Sequence, residues 1–377
     1  MSDHALLSPS SAHRWLQCTP SAVLEESFAN QSSSAAEEGT AAHALCEYKI
    51  KKAIGERCTK PVSEADTVEM QECSDAYAEF VLERYEQAKG RCRDPLLLIE
   101  QKVDFSAYVK DGFGTADCII VSDNTLQIID FKYGQGVLVD AYENPQMKCY
   151  ALGALEMYNA LYDIKEVVMT IFQPRRDNVS GYTLSVAELL TWAERVLKPK
   201  AEQAIRGKGE FAAGGWCRFC RAKAVCRKRA EENMRLAELE FKPPSLLTDR
   251  EIEDVLKTLP MLTKWAEDVF SYAAEAAIHH GKEWRGFKVV EGRSIRKYKD
   301  ETAVIAQAQS HGYTDIFQTR LISMTAMQKL MGKKKFEEIL GGLISKSPGK
   351  LTLVPETDKR IQVNRLSVNN EFKQEEI

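Results

Sequence analysis

Residues 128–134 read Ile-Ile-Asp-Phe-Lys-Tyr-Gly, an apolar run interrupted by two charges. Successive side chains of a strand point to opposite faces, so Asp130 and Lys132 share one face and Ile129, Phe131 and Tyr133 the other. A carboxylate and an ammonium inside an apolar strand cost desolvation energy that packing alone does not offset. Either the strand lies at a salt-bridged edge, or a polar site is built on the sheet. The preceding run, "GFGTADCIIV", constrains the fold further. It also reads as a strand, it carries Asp117, and Ser122-Asp123-Asn124 turns it back into the first. A tight hairpin then brings Asp117 and Asp130 near each other at one end of a sheet.

The surrounding patterns complete a domain. "LLLIEQKVDF" is a strand before the hairpin, and "NPQMKCYALGALEMYNAL" is a helix with Pro145 at its start, where the missing amide is tolerated. "EVVMTIFQP" is a fourth strand ended by Pro174, and a helix over about 185–206 follows. Upstream, Ser32 to Ser34 can cap the Ala-rich helix "AAEEGTAAHALCEYKIKKAIG", and residues 66–90 form a second amphipathic helix. This order implies an α/β fold: a mixed sheet flanked by helices, followed by a mainly helical C-terminal region. "FKPPSLL", residues 241–247, reads as a linker. The expected division is a domain over 1–240 and a second over 248–377, the latter opening a hairpin at "GFKVVEGRSIRKYKDE".

Composition narrows the function. A net charge of −4 excludes a uniformly basic surface, so nucleic acid would be met by local patches. No apolar run is long enough to span a bilayer, and the N-terminus lacks the pattern of a signal peptide. The expectation is a cytoplasmic protein with no membrane partner, whose ten cysteines are thiols or metal ligands rather than disulfides.

Two carboxylates on adjacent strands are hard oxygen ligands suited to Mg²⁺ or Mn²⁺, which bind through one or two carboxylates plus phosphate and water. Lys132 beside them can orient the attacking water and neutralise charge developing on phosphate. His43 and Glu47 lie four apart and face one way, and an imidazole ligand shifts preference toward Mn²⁺. Gln146 and Tyr150, four apart on the helix after the strands, are placed to touch substrate. Glu100, on the first strand, is a weaker candidate ligand. Each has an ordinary alternative as an edge, packing or helix-face residue.

"WCRFCRAKAVC" sets Cys217, Cys220 and Cys226 in a C-x2-C-x5-C pattern. Three thiolates need a fourth for a tetrahedral metal or a cubane, and Cys18 in "RWLQCTPS" is the best supplier. Iron–sulfur and zinc both fit four thiolates. Arg218, Arg221 and Arg227 belong to a basic stretch with no acid between 217 and 230, which suits a DNA backbone or a solvated face.

Taken in order, "GTAAHALCE", "GTADCIIV", "IIDFKYG" and "QMKCY" resemble the successive motifs of the RecB-type branch of the PD-(D/E)XK nucleases. The resemblance covers about residues 8–230. It implies a restriction-endonuclease-like sheet, with His43, Asp117, Asp130 and the Phe131 carbonyl as divalent-metal ligands. It makes Lys132 the catalytic lysine and Gln146 and Tyr150 the substrate-side pair. Position 130 is Asp where many relatives carry Glu. One early and three late cysteines are similar to those holding a [4Fe–4S] cluster in AddB and the CRISPR-associated exonucleases of this branch. The implied activity is a metal-dependent deoxyribonuclease, an exonuclease in phage recombination or DNA-end processing. The implied partners are DNA, a single-strand-binding or annealing protein and a second copy of the chain. Two rival readings stand beside it: a non-cleaving DNA-binding scaffold, and a metal-stapled assembly protein.

Overall fold

The computed structural model describes residues 5–29, 34–234, 248–289, 301–310, 327, 330–340 and 343. Two short helices, α1 (Ala12–Trp15) and α2 (Ser21–Leu24), precede the long helices α3 (Ser34–Ala53) and α4 (Val68–Lys89). Strands β1 (Leu96–Asp104), β2 (Phe113–Ser122) and β3 (Asn124–Phe131) follow as a meander. Helix α5 (Pro145–Tyr158) then crosses over to β4 (Ile164–Gln173), and β5 (Asn178–Ser185) returns beside it. The sheet order is β1-β2-β3-β4-β5, antiparallel except for the parallel β3–β4 pair. The expected mixed α/β sheet flanked by helices is therefore present.

Local chemistry explains most boundaries. The Thr67 hydroxyl accepts from the Met70 N–H at 3.2 Å and starts α4. Asn144 caps α5 by accepting from the N–H groups of Gln146 and Met147 at 3.0 and 3.4 Å, with Pro145 next in line. Ser32 and Ser33, expected to cap α3, lie outside the described residues.

Two elements differ from expectation. β5 is an additional strand that the sequence pattern does not announce: "NVSGYTLS" alternates weakly because only one face of this edge strand is covered. The single helix expected over 185–206 is α6 (Val186–Trp192), a π turn (Ala193–Leu197) and α7 (Lys198–Ile205). Pro199, near the start of α7, has no amide to continue a regular ladder, and the wider turn accommodates that loss.

The sheet is packed on both faces. Leu126, Ile128, Met169 and Ile171 meet Met147, Ala151 and Leu152 of α5. Cys118, Ile120, Ile129, Phe131 and Phe172 form a second core with Leu45 and Ile50 of α3 and Tyr77 and Val81 of α4. In β1, Leu97 and Ile99 belong to the α3/α4 side, while Leu98 and Val103 belong to the α5 side. In β2, Cys118 and Ile120 belong to the former and Ala116 and Ile119 to the latter. Alternation thus reverses in both strands, although the pairing skips one position and resumes in the same register, from Ile99↔Cys118 to Gln101↔Ala116. The reversal falls on Glu100 and Asp117, the position the pairing skips, with Glu100 held at φ 50°. That left-handed conformation is rare for a residue bearing Cβ.

α5 lies so close to the sheet that a Cβ on Gly153 would sit 2.8 Å from Val103 Cβ and 3.0 Å from the Asp104 carbonyl oxygen. Alanine normally favours a helix over glycine by about 1 kcal/mol. Here Gly153→Ala is expected to destabilise instead, by about 1–3 kcal/mol, as overpacked cores do. Urea denaturation of the two proteins measures the sign.

The chain divides into two compact units, residues 1–282 and 283–377. The division falls beyond the expected boundary at 241–247, residues that lie outside those described. Helix α8 (Arg227–Met234) and the long helix α9 (Asp249–His280) both belong to the first unit, where Arg229 donates to Asp268 at 2.7 Å with both side chains buried. In the second unit, helices Glu301–Ser310 and Lys333–Leu340 agree with a mainly helical C-terminal region. Most of the hairpin expected over 286–301 lies outside the described residues.

Candidate metal centre

Pairing between β2 and β3 ends at Cys118↔Ile129. The next two facing residues are Asp117 and Asp130, so both carboxylates stand where the strands fork. Asp117 divides its oxygens. Oδ2 accepts from the Phe131 N–H at 2.7 Å, and Oδ1 lies 3.3 Å from His43 Nδ1, which α3 delivers from above the sheet. Glu100 Oε1 approaches the same nitrogen to 3.9 Å. One donor atom each from His43, Glu100 and Asp117 fall within 4.8 Å of one another. The pleat reversal produces this meeting, because it carries Glu100 and Asp117 out of ordinary alternation.

Asp130 and Lys132 meet α5 on the other side. Lys132 Nζ is 2.8 Å from Asp130 Oδ2 and donates to Gln146 Oε1 at 3.3 Å. Gln146 Nε2 donates to Asp130 Oδ1 at 3.2 Å and to the Tyr150 hydroxyl at 3.1 Å. Tyr150 is wedged by Gly114, where a Cβ would come within 3.0 Å of its ring and 2.7 Å of Pro9 Cγ. The expected residues His43, Asp117, Asp130, Lys132, Gln146 and Tyr150 are therefore assembled from α3, β2, the end of β3 and α5. Phe131 contributes its N–H to Asp117, and its ring packs on His43 and Tyr77 at centroid distances of 5.5 and 4.9 Å.

The charges are strongly coupled. Burial pushes the Asp130 carboxyl up to about 6 against the pull of Lys132. Burial opposes the His43 imidazolium, yet Asp117 and Asp130 hold its pKa up at about 9. Asp117 is likewise burdened by burial, but His43 and Lys132 bring it below the usual carboxylate range. Asp130 Oδ2 is buried, and among the described residues no hydrogen-bond donor is directed at it. Lys132 stands close enough for an ion pair but off the direction a hydrogen bond requires. The imidazole and the Glu100 and Asp117 carboxylates make a donor set suited to a divalent cation, with Asp130, ion-paired to Lys132, beside it.

Glu100 joins this site more closely than its sequence context indicates. Burial and Asp117 raise its pKa from 4.5 to about 7. Ionised Glu100 therefore costs the metal-free fold stability: the cost is absent below about pH 4.5, grows as pH rises, and is complete above about 7. Glu100→Gln is expected to raise the melting temperature of metal-free protein at pH 8 and to leave it nearly unchanged at pH 5. Thermal unfolding in chelator at the two values checks the sign.

The family described as "Protein of unknown function (DUF2800)" matches residues 4–361. The chain belongs to this family. Among solved structures, one described as "Crystal structure of SSO0001" aligns with 58% of this chain and 96% of its own at 13% identity, with a TM-score of 0.23. No helix of the described residues is long and apolar enough to cross a membrane.

This DUF2800 chain gathers a second group of donors away from the acidic site. Cys18, Cys217, Cys220 and Cys226 all line one small pocket, together with Arg14, Lys223 and Arg229. All four are free thiols. Cys18 Sγ accepts from the Ala212 N–H at 3.5 Å, Cys217 Sγ from the Gly214 N–H at 3.4 Å, and the Ala222 amide acts on Cys220. Burial pushes the Cys220 thiol up to about 12 and raises Cys217 as well. The N-terminal helices are fastened here by an ion pair and hydrogen bonds. Arg14 pairs with buried Glu25 and donates to the Phe219 carbonyl at 3.2 Å, and Glu25 accepts from the Arg221 N–H at 2.6 Å.

The basic stretch divides into two roles. Arg229 is buried against Asp268, and Lys223 approaches the same carboxylate at 3.4 Å, so part of the stretch holds α9. Arg218, Arg221 and Arg227 are exposed. Arg218 reaches the segment after Lys132, its Nη2 3.6 Å from where a Cβ on Gly136 would lie.

Proposed function

We propose that this protein is a divalent-metal-dependent deoxyribonuclease of the RecB-type PD-(D/E)XK kind, acting at DNA ends and carrying a structural [4Fe–4S] cluster. One observation carries the reading: side chains from four separate elements, in the motif order of that family, converge where β2 and β3 fork. His43, Asp117, Asp130 and the Phe131 carbonyl are the residues that would hold Mg²⁺ or Mn²⁺, with Glu100 beside them. Such an ion supplies Lewis-acid polarisation of the phosphoryl group and a more acidic bound water.

The chain supplies the rest. Asp130 and Gln146 hold the Lys132 ammonium in place, where it can donate to the nucleophile or to a phosphate oxygen as charge develops. Gln146 ties this lysine to Tyr150, so the substrate-side pair and the catalytic pair form one hydrogen-bonded unit. Exposed Arg218, Arg221 and Arg227 offer charge to the DNA backbone.

The cysteine pocket supports the cluster. Amide donors directed at the sulfurs suit thiolates, and Arg14, Lys223 and Arg229 offset their charge. Tetrahedral zinc, with Zn–S bonds of about 2.3 Å, is the alternative occupant of four thiolates. The phage setting, and an annealing or single-strand-binding partner, follow from the family resemblance alone. Incubation of labelled linear DNA with Mn²⁺, wild type beside Lys132→Ala, tests the activity. End-blocked substrates test whether it proceeds from ends.

A further inference from the structure

The loop that carries Cys217, Cys220 and Cys226 is pinned turn by turn. The Cys217 N–H donates to the Gly214 carbonyl at 3.0 Å, and those of Cys220, Lys223 and Val225 donate to the carbonyls of Cys217, Cys220 and Ala222 at 3.1 Å each. Contacts from outside fix the same loop to the N-terminal segment. Arg14 donates to the Phe219 carbonyl at 3.2 Å, Glu25 accepts from the Arg221 N–H at 2.6 Å, and the Arg221 guanidinium donates to the Phe28 carbonyl at 3.4 Å. The backbone on both sides of Phe219 therefore has a set shape. Its ring is nevertheless left outside, with the residue 62% exposed.

The charges that the loop itself carries are of one sign. Arg218, Arg221 and Arg227 are exposed, Lys223 and Lys228 are half-buried, and no acid lies between 217 and 230. Two acids reach the loop from other elements, and both are buried and engaged: Glu25 with Arg14 and the Arg221 amide, Asp268 with Arg229 and Lys223. Arg218 also approaches Gly136, so the loop abuts the chain shortly after Lys132. Guanidinium groups pair with phosphate through two parallel hydrogen bonds. A phenyl ring has no hydrogen-bonding atom with which to read a base edge, and offers only a face on which a base can stack. Bases expose that face where they are unpaired, whereas a duplex presents base edges and backbone along its length. An exposed ring between exposed guanidinium groups is therefore complementary to a single strand.

We propose that Phe219 stacks an unpaired base of single-stranded DNA whose phosphates are held by Arg218, Arg221 and Arg227. The proposal rests on the nuclease reading in taking DNA as the ligand, but it concerns binding and is tested without cleavage. Full-length protein purified without oxygen is titrated into a short fluorescein-labelled single strand, and into a blunt duplex of the same sequence. Ca²⁺ replaces Mg²⁺, and anisotropy is the readout. Phe219→Ala removes the ring, Phe219→Leu keeps apolar bulk without a stacking face, and Phe219→Tyr keeps the face.

A stacked base contributes about 1–3 kcal/mol, so Phe219→Ala and Phe219→Leu are expected to weaken single-strand binding by about five- to a hundred-fold. Phe219→Tyr should retain wild-type affinity, and duplex binding should change by less than about two-fold in all three variants. The proposal is overturned if the wild type does not bind the single strand. It is also overturned if Phe219→Leu binds as the wild type does, or if Phe219→Ala loses single strand and duplex equally. Phe219-dependent binding to phosphatidylserine vesicles, without binding to the strand, would make the surface a lipid contact and overturn it as well. Cleavage of the same strands by the wild type in Mn²⁺ separates the two readings. Phe219-dependent binding without cleavage keeps the stacking surface and removes the nuclease, whereas cleavage with Phe219-independent binding does the reverse.

Discussion

Lys132→Ala is expected to reduce Mn²⁺-dependent cleavage of linear DNA by about 10²- to 10⁴-fold while leaving the protein folded, the loss usual for one positioned proton-transfer or charge-stabilising group. The lysine sits 2.8 Å from Asp130 Oδ2 and 3.3 Å from Gln146 Oε1, and its side chain keeps 26% exposure. That partial exposure distinguishes it from a structural ammonium such as Lys148, which is 2% exposed beside Glu143. Removing Lys132 also removes the opposite charge that keeps Asp130 ionised. The Asp130 pKa, already about 6, then rises further, and the carboxyl is protonated over more of the neutral range. Protonation relieves a buried unpaired charge, which is why the fold should survive. It also deprives the centre of a ligand, so part of the lost activity should return as pH is raised. Labelled DNA incubated with each protein across pH 7–9, with circular dichroism as the folding control, reads both effects. Equal cleavage by the two proteins, or none by either, ends the enzymatic reading.

The acidic fork was legible because its parts are short-range. A charged pair inside an apolar strand, a turn of Ser122-Asp123-Asn124 and a helix opening at Pro145 each announce themselves within ten residues. Together they bring Asp117, Asp130, Lys132, Gln146 and Tyr150 into one place, as the structure has them. Glu100 is less legible. Its part depends on the pleat reversing in two strands at once, and a backbone at φ 50° leaves no trace in hydrophobic periodicity. β5 leaves little trace in the sequence for a related reason: an edge strand covered on one side has little apolar content to alternate. The basic stretch after Cys217 shows the limit of charge patterning. Six like charges look equivalent in the sequence, yet the Arg229–Asp268 contact turns one of them inward. Their division depends on α9, which begins far beyond them in the chain.

Cys18→Ser should be the most damaging single change to stability, because the proposed cluster would join the N-terminus to residues 217–226 through Cys18. A cross-link closing a loop of this span stabilises by up to about 5 kcal/mol through the unfolded chain. Part of that constraint survives in the variant, since Arg14 and Glu25 still bond Phe219 and Arg221. The expected loss is therefore a few kcal/mol. Protein purified without oxygen should be coloured, with iron and acid-labile sulfide present, and the Cys18→Ser protein should lose both together with its raised melting temperature. Stripping the metal with a chelator should lower the wild type to the variant's melting temperature and leave the variant where it is, because metal binding and folding are then one equilibrium. A colourless wild type containing zinc would replace the cubane by a single ion. A metal-free wild type that melts with the variant would leave the pocket as four buried thiols.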